Sequence, residues 1–196
     1  MRKLIVHEFM SLDGVMQAPG GEDEDRDGGF EYGGWTLPYW HDDIGAYFLS
    51  VLPTIDALLL GRRTYVTHAE AFEPAPPDDP FAAALNAPAK YVVSRTLEKP
   101  IWRNTTIIRD NVVESIRDLK ARPGKAIFTD GSSQLVHLML AHDLVDEIHL
   151  LLYPVAVGGG KRLFPGGVHG GFTLTETTPY PSGVVGLHYV RARGAA

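Results

Sequence analysis

Residues 126–164 constrain this chain more than any other stretch. An apolar run, Ala126-Ile127-Phe128-Thr129, stops at Asp130-Gly131-Ser132-Ser133, a cluster of turn-forming and helix-capping residues. Leu135, Leu138 and Met139 then recur at helical spacing, and after Asp143 the period changes to a second apolar run, Ile148-His149-Leu150-Leu151-Leu152-Tyr153. Strand, helix and strand in that order make a βαβ unit. Such crossovers are nearly always right-handed and bring the first turn to the carboxyl edge of an open sheet, where α/β proteins bind ligands. The helix amino end at that turn offers free backbone N–H groups and a positive dipole, which suit a phosphate. The unit closes with Gly158-Gly159-Gly160-Lys161, a loop whose backbone can approach a bound molecule closely.

The same punctuation recurs upstream. Residues 3–10 read as a strand that ends in Ser11-Leu12-Asp13-Gly14, and Asp13 there is either a turn residue satisfying local N–H groups or a carboxylate facing a substrate. A short buried strand at 56–60 is cut off by Gly61-Arg62-Arg63-Thr64-Tyr65, and another at 90–93 ends at Ser94-Arg95-Thr96. Guanidinium forks match phosphate oxygens, so strand ends furnished in this way along one edge converge on a single phosphorylated ligand. Ile44, Tyr47, Phe48, Val51 and Leu52 mark an amphipathic helix over 42–52, with Asp42 and Asp43 in its first turn, where carboxylates favour the dipole. A proline-rich loop at 73–80, a short helix at 81–86, a strand at 105–109 and a helix at 113–121 complete the middle of the chain. A glycine-rich stretch, Gly166, Gly167, Gly170 and Gly171, leads to runs at 172–176 and 184–190 that alternate with period two around Pro181-Ser182-Gly183, an antiparallel hairpin.

Residues 19–34 are glycine-rich and acidic and read as a surface loop, either mobile or a lid over a pocket. Phe30, Tyr32, Trp35, Tyr39 and Trp40 lie within or just after it. Such a cluster either stacks on a planar ring or anchors the loop to the core, and Tyr39 and Trp40 are the candidates for a pocket wall.

With 196 residues the chain fits one domain. A net charge of −6 with dispersed basic residues leaves no footprint for nucleic acid or an anionic membrane surface, so the expected partner is a small molecule. Cysteine is absent, which excludes disulfides and thiolate metal sites, and the eight histidines show no metal-ligand spacing. There is no Gly-x-Ser-x-Gly elbow, Walker loop or Gly-x-Gly-x-x-Gly fingerprint. The amino terminus runs directly into a strand and nothing reaches the length of a membrane span, so a cytoplasmic location is expected.

Taken in order, Ser11-Leu12-Asp13-Gly14, Leu60-Gly61-Arg62-Arg63-Thr64-Tyr65, Val93-Ser94-Arg95-Thr96, Asp130-Gly131-Ser132-Ser133, Leu144-Val145-Asp146-Glu147 and the segment from Pro154 through Gly158-Gly159-Gly160-Lys161-Arg162-Leu163-Phe164 form a signature. The chain resembles the dihydrofolate reductase-like superfamily, in the branch similar to the reductase domain of the bifunctional riboflavin-biosynthesis deaminase/reductase. The resemblance implies an α/β fold with a mixed, mostly parallel central sheet flanked by helices, an antiparallel C-terminal hairpin, and NADP(H) bound across the strand ends. By that likeness Gly61, Arg62, Arg63 and Thr64 hold phosphates near the adenosine, and Ser94 and Arg95 meet the 2′-phosphate. Gly131, Ser132, Ser133, Gln134 and Leu135 cradle the pyrophosphate, with Gly159 also at the cofactor. Relatives of this kind are commonly homodimers.

Two departures from the family pattern stand out. Ser132-Ser133 follows Gly131 where a second glycine is usual, so a hydroxymethyl group either narrows the approach to the pyrophosphate or donates to it. Dihydrofolate reductases carry a carboxylate inside the helix after the first loop, whereas here the interior of that helix, from Ile44 to Leu52, holds none and Asp42 and Asp43 come too early. The resemblance therefore implies an NADPH-dependent reductase of a small planar nitrogen heterocycle, pyrimidine or pterin in type, akin to 5-amino-6-(5-phosphoribosylamino)uracil reductase, rather than a folate reductase. Asp13 is then the substrate-side catalytic group, with Tyr39 and Trp40 as substrate-binding walls. The alternative is a regulatory protein that binds NADP(H) or a heterocycle without catalysis.

Overall fold

Alternation of apolar side chains organises the molecule. In the computed structural model, which describes residues 1–164, 166 and 168–192, the strands are β1 (Leu4–Ser11), β2 (Ile55–Gly61), β3 (Ala89–Val93), β4 (Thr105–Ile108), β5 (Ala126–Asp130), β6 (Glu147–Tyr153), β7 (Phe172–Pro179) and β8 (Val185–Arg191). Gly167 of the glycine-rich stretch lies outside the described residues. The helices are α1 (Asp42–Val51), α2 (Arg62–Phe72), α3 (Pro80–Asn86), α4 (Val112–Ala121) and α5 (Ser133–Ala141). Among the described residues the strands form one eight-stranded sheet in the order β4-β3-β2-β5-β1-β6-β8-β7.

The first six strands in that order run parallel, and β8 and β7 close one edge as an antiparallel hairpin. The β5–α5–β6 crossover passes over β1, which pairs with both flanking strands. All six parallel strands therefore end on the same rim.

Successive side chains of a strand face opposite ways. Leu4 and Val6 of β1 accordingly join Ile127, Ile116 and Leu119 of α4, and Leu135, Val136 and Met139 of α5 in one buried cluster. Ile5 faces the other way, with Leu58, Leu60, Phe128, Tyr65 and Ala69 of α2, and Leu85 of α3. A third cluster packs Ile44 and Phe48 of α1 on Leu151 and Tyr153 of β6, and it includes Phe30 and Trp35 of the acidic loop. Each fully buried aliphatic or aromatic side chain contributes about 1.5–3 kcal/mol.

The amino ends of the helices differ in how they are finished. The ring of His41 accepts from the Asp43 N–H at the start of α1, and Asp79 accepts from the N–H groups of Phe81 and Ala82 at the start of α3. At α2 and α5 no side chain caps the free N–H groups.

Lys90 of β3 is fully buried, its ammonium donating to the Asn86 carbonyl at 2.6 Å and lying 4.5 Å from the centre of the Trp102 ring. Burial pushes its pKa down from 10.5 to about 8, against the upward pull of Glu73. Below pH 8 folding must bury the cation. Above it the folded state releases the proton while the unfolded chain keeps it, so stability rises from pH 8 toward pH 10. Beyond 10.0 the buried phenols of Tyr47 and Tyr153, pushed upward mainly by burial, act in the opposite sense. Urea unfolding across this interval is expected to show the rise, and Lys90→Met is expected to abolish it.

Candidate active site

At the rim where the parallel strands end, one cavity of about 1130 Å³ runs from the ends of β3 and β4 across β2 and β5 to β1. Small-molecule sites typically enclose roughly 300–1,000 Å³. This one accommodates an extended ligand.

Its middle is built by the β2–α2 and β5–α5 junctions. Ser132 adopts a left-handed conformation (φ 71°), and its Oγ accepts from the Gly61 N–H at 2.8 Å while donating to Thr64 Oγ1 at 3.0 Å. Gly131 is also left-handed (φ 80°), and a Cβ there would lie 3.2 Å from the Thr64 side chain. A Cβ on Gly61 would come within 3.1 Å of the Ser132 hydroxyl. The serine that replaces the usual second glycine thus turns its hydroxyl onto the neighbouring junction and ties the two helix starts together. Both uncapped amino ends, Arg62 to Thr64 of α2 and Ser133 to Leu135 of α5, line the same space. The amino end of α4 reaches the rim at Val112 and is likewise without a side-chain cap.

Charge divides the cavity along its length. At the β3–β4 end stand Arg95 and Arg109, with Ser94 beside them, and Arg62 follows at the β2–α2 junction. The Ser94 Oγ accepts from the N–H groups of Thr96 and Leu97, at 3.2 and 2.9 Å, which leaves its own proton to donate. Arg95 lies 3.8 Å from Asp110, both highly exposed, and Arg62 has no ion-pair partner among the described residues. Arg63 lies on the wall but is committed to Asp27 at 2.6 Å and Asp25 at 3.5 Å. Lys161 meets Asp25 at 2.6 Å and Asp27 at 3.0 Å. These pairs hold the acidic loop against the rim, and the Gln17 amide adds bonds to the carbonyls of Asp25 and Asp27.

The opposite end, around β1 and β5, has apolar walls from Phe9, Phe48, Leu52, Phe81, Leu85 and Phe128, with the half-exposed Trp40 among the lining residues. No acid of α1 lines it. Trp40 thus lies on the cavity wall. Phe30 and Trp35 instead anchor the loop in the core, and the Trp35 indole donates to the Gln17 carbonyl at 2.8 Å.

Three expected site residues lie elsewhere. The Asp13 carboxylate accepts from the Ser11 hydroxyl at 2.7 Å and from the N–H groups of Val157 and Gly158 at 3.0 and 2.8 Å, bonds that hold it below the usual carboxylate range. It is the turn residue that joins the first loop to the 157–158 segment, and it does not line the cavity. Tyr39 packs against Tyr153 in the third core cluster, its ring 6.2 Å away. Gly159 is on the outer loop, off the cavity wall and with open space where a Cβ would be. Its neighbour Gly160 (φ 116°) is the glycine that close packing demands, since a Cβ there would meet Phe30 at 2.8 Å.

The ionisable wall residues that sequence reasoning missed include Glu8, Glu24, His68 and Asp130, as well as Arg109 at the basic end. Glu8 is buried and accepts from the Gly131 N–H at 3.1 Å; burial, with a further push from Asp130, drives its pKa well above the ordinary value. Partial desolvation at the wall raises Glu24, which accepts from the Gly20 N–H at 2.6 Å. Asp130 lies between His68, 3.4 Å from Oδ2, and His7, 3.5 Å from Oδ1. Burial raises the Asp130 carboxyl, but the two histidines outweigh it and hold the group below the usual range. A glutamate and a histidine inside an otherwise apolar strand were the available signal.

This architecture recurs in solved structures. A protein from Shewanella sp. PV-4 whose name places it in riboflavin biosynthesis superposes with a TM-score of 0.72 at 20% identity, covering 97% of this chain and 99% of that one. A pyrimidine reductase-like protein from Corynebacterium diphtheriae gives 0.70 at 13% identity, covering 98% and 92%. Dihydrofolate reductase from Enterococcus faecalis, solved with NADP(H), gives 0.63 at 15% identity, covering 96% of each chain. In sequence, the protein YyaP of Bacillus subtilis (strain 168) is 29% identical over 192 residues, 96% of this chain and 94% of YyaP. The model of the RibD C-terminal domain matches residues 2–185, and the chain belongs to that family.

Proposed function

We propose that the protein is an NADPH-dependent reductase of a small planar nitrogen heterocycle, pyrimidine or pterin in type. The observation that carries this reading is the convergence of two uncapped helix amino ends on one cavity, joined through Ser132 and flanked by Arg62, which has no ion-pair partner among the described residues. Free N–H groups aligned with a helix dipole are an anion site, and two of them set side by side suit a diphosphate. The close approaches at Gly61 and Gly131 fit the same group, because added side chains there would force the two junctions apart.

On this reading Thr64, Ser133 and Gln134 hold the pyrophosphate, with Arg62 beside it. Ser94 and Arg95 take the 2′-phosphate at the basic end. The ring of the substrate occupies the apolar end, against Phe48, Phe128 and Trp40. Bound in this cavity the reduced cofactor supplies a hydride, and the chain contributes orientation and exclusion of water. The name of the Corynebacterium neighbour and the NADP(H) in the Enterococcus neighbour agree with this assignment.

Fluorescence titration with NADPH and NADH tests the cofactor. Arg95→Ala is expected to weaken NADPH by about ten- to a hundredfold, the worth of a charge-assisted contact, and to change NADH far less, whereas Arg62→Ala is expected to weaken both cofactors alike. Equal losses for both cofactors in Arg95→Ala would remove the 2′-phosphate assignment. Reductase activity is read as loss of NADPH absorbance over a panel of pyrimidine and pterin acceptors, with at least one expected to turn over. Binding of NADPH with no turnover on any of them would identify a regulatory binding protein.

A further inference from the structure

One carboxyl on the cavity wall lies beneath the turn that starts α5, where a fixed negative charge opposes the anion that this turn suits. Glu8 follows Leu4 and Val6 on the face of β1 that α5 covers, and it keeps 2% of its surface exposed. Its Oε1 accepts from the Gly131 N–H at 3.1 Å, and its Oε2 has no hydrogen-bond partner among the described residues. The side chain nonetheless lines the cavity. Gly131 and Ser132 are both left-handed there, at φ 80° and 71°, and the N–H groups that follow at the start of α5 have no side-chain cap. Glu8 therefore occupies, from the protein side, one donor of the turn that on the reductase reading holds the diphosphate.

Among the described residues Glu8 forms no ion pair. Leu150 of β6 stands opposite it, and the α5 residues on the wall, Ser133, Gln134, Leu135 and Leu138, are uncharged. The charge that acts on it from β5 is Asp130, which is of like sign and is itself faced by His7 and His68. Arg63 of α2 and Lys161 are held by Asp25 and Asp27, and Glu24 of the acidic loop accepts from the Gly20 N–H. Arg62, at the start of α2, makes no ion pair with it. Burial, with a further push from Asp130, therefore drives the Glu8 pKa well above the ordinary value, against the pull of the Gly131 N–H. Buried glutamates ionise as high as about pH 8–9.

Building on the reductase reading, we infer that Glu8 is a proton-operated positioning residue of the diphosphate cradle: as a neutral acid it braces the Gly131 turn and leaves a bound diphosphate unopposed, and as a carboxylate it repels one. Dinucleotide binding is then coupled to one proton on Glu8. The sign follows from charge, since an anion in the cradle favours the neutral acid over the carboxylate. By linkage the proton strengthens the anion's binding to the same extent that the anion strengthens the proton's. Cofactor affinity therefore falls as pH rises through the ionisation of Glu8, by up to about tenfold for each pH unit beyond it.

NADPH titrations of the full chain from about pH 6 to about pH 9, the range in which buried glutamates ionise, test the coupling. Glu8→Gln keeps the neutral shape and an acceptor for the Gly131 N–H. It is expected to match the wild type at the acid end and to keep that affinity at the alkaline end, where the wild type loses about tenfold per pH unit. NADH, which has no 2′-phosphate to titrate, is expected to show the same difference between the two proteins. In the wild type the amide resonance of Gly131 is expected to follow one ionisation, with a midpoint that NADPH moves upward by about one pH unit or more; this readout needs no variant to fold. Equal pH profiles in the wild type and Glu8→Gln overturn the inference and leave the cofactor reading intact, as does a Gly131 resonance that shows no ionisation in this range or a midpoint that NADPH leaves in place. Wild-type protein that binds NADPH at no pH defeats the cofactor reading and the inference together.

Discussion

The hydroxyl of Ser132 joins two strand-to-helix junctions that are 71 residues apart in sequence, and the geometry of the rim depends on it. By accepting from Gly61 and donating to Thr64 it fixes the amino ends of α2 and α5 side by side. The left-handed backbone this requires costs a non-glycine residue about 1–2 kcal/mol, a cost tolerated where surrounding contacts over-determine the conformation. The residues on either side of that junction take their places from it. Arg62 emerges from one helix start, Gly131 passes beneath the other, and Asp130 is carried one residue before the turn.

The sheet converts this local tie into a polarised site. Because six strands run parallel, their carboxyl ends share an edge, and strand order assigns chemistry along it. Arginines arrive on β3, β4 and α2; acids arrive on β1, β5 and the loop. The basic and the apolar stretches therefore lie at opposite ends of one cavity.

Much of this was legible in the sequence, for reasons that can be named. The period-two and helical patterns located the strands and helices, since burial on one face imposes them. The strand ends at Gly61, Ser94 and Gly131 were legible because guanidinium, hydroxyl and glycine clusters there have few other uses. Asp13 was ambiguous, since a carboxylate after a strand serves a turn or a substrate equally well, and only the positions of Val157 and Gly158 decide. Tyr39 and Trp40 are adjacent, yet the backbone sends one ring to the core and the other to the cavity, a difference set by tertiary packing. Asp130 read as part of a turn signal. Its pairing with His7 and His68 joins β5 to β1 and α2, and no local pattern encodes such a meeting.

The carboxylates of Asp25 and Asp27, gripped by Arg63 and Lys161, make the loop over the rim an electrostatic clasp whose members range from about a quarter to just over half exposed. Charges so placed are weakened by mobile ions, whose screening length is about 8 Å at physiological ionic strength, whereas the Phe30 and Trp35 anchors are indifferent to them. Apolar anchors and neutral hydrogen bonds therefore fasten the loop alongside the ion pairs, and only the ion pairs are sensitive to salt. Raised salt weakens the hold on the stretch that leads up to the first anchor and leaves the two buried rings in place.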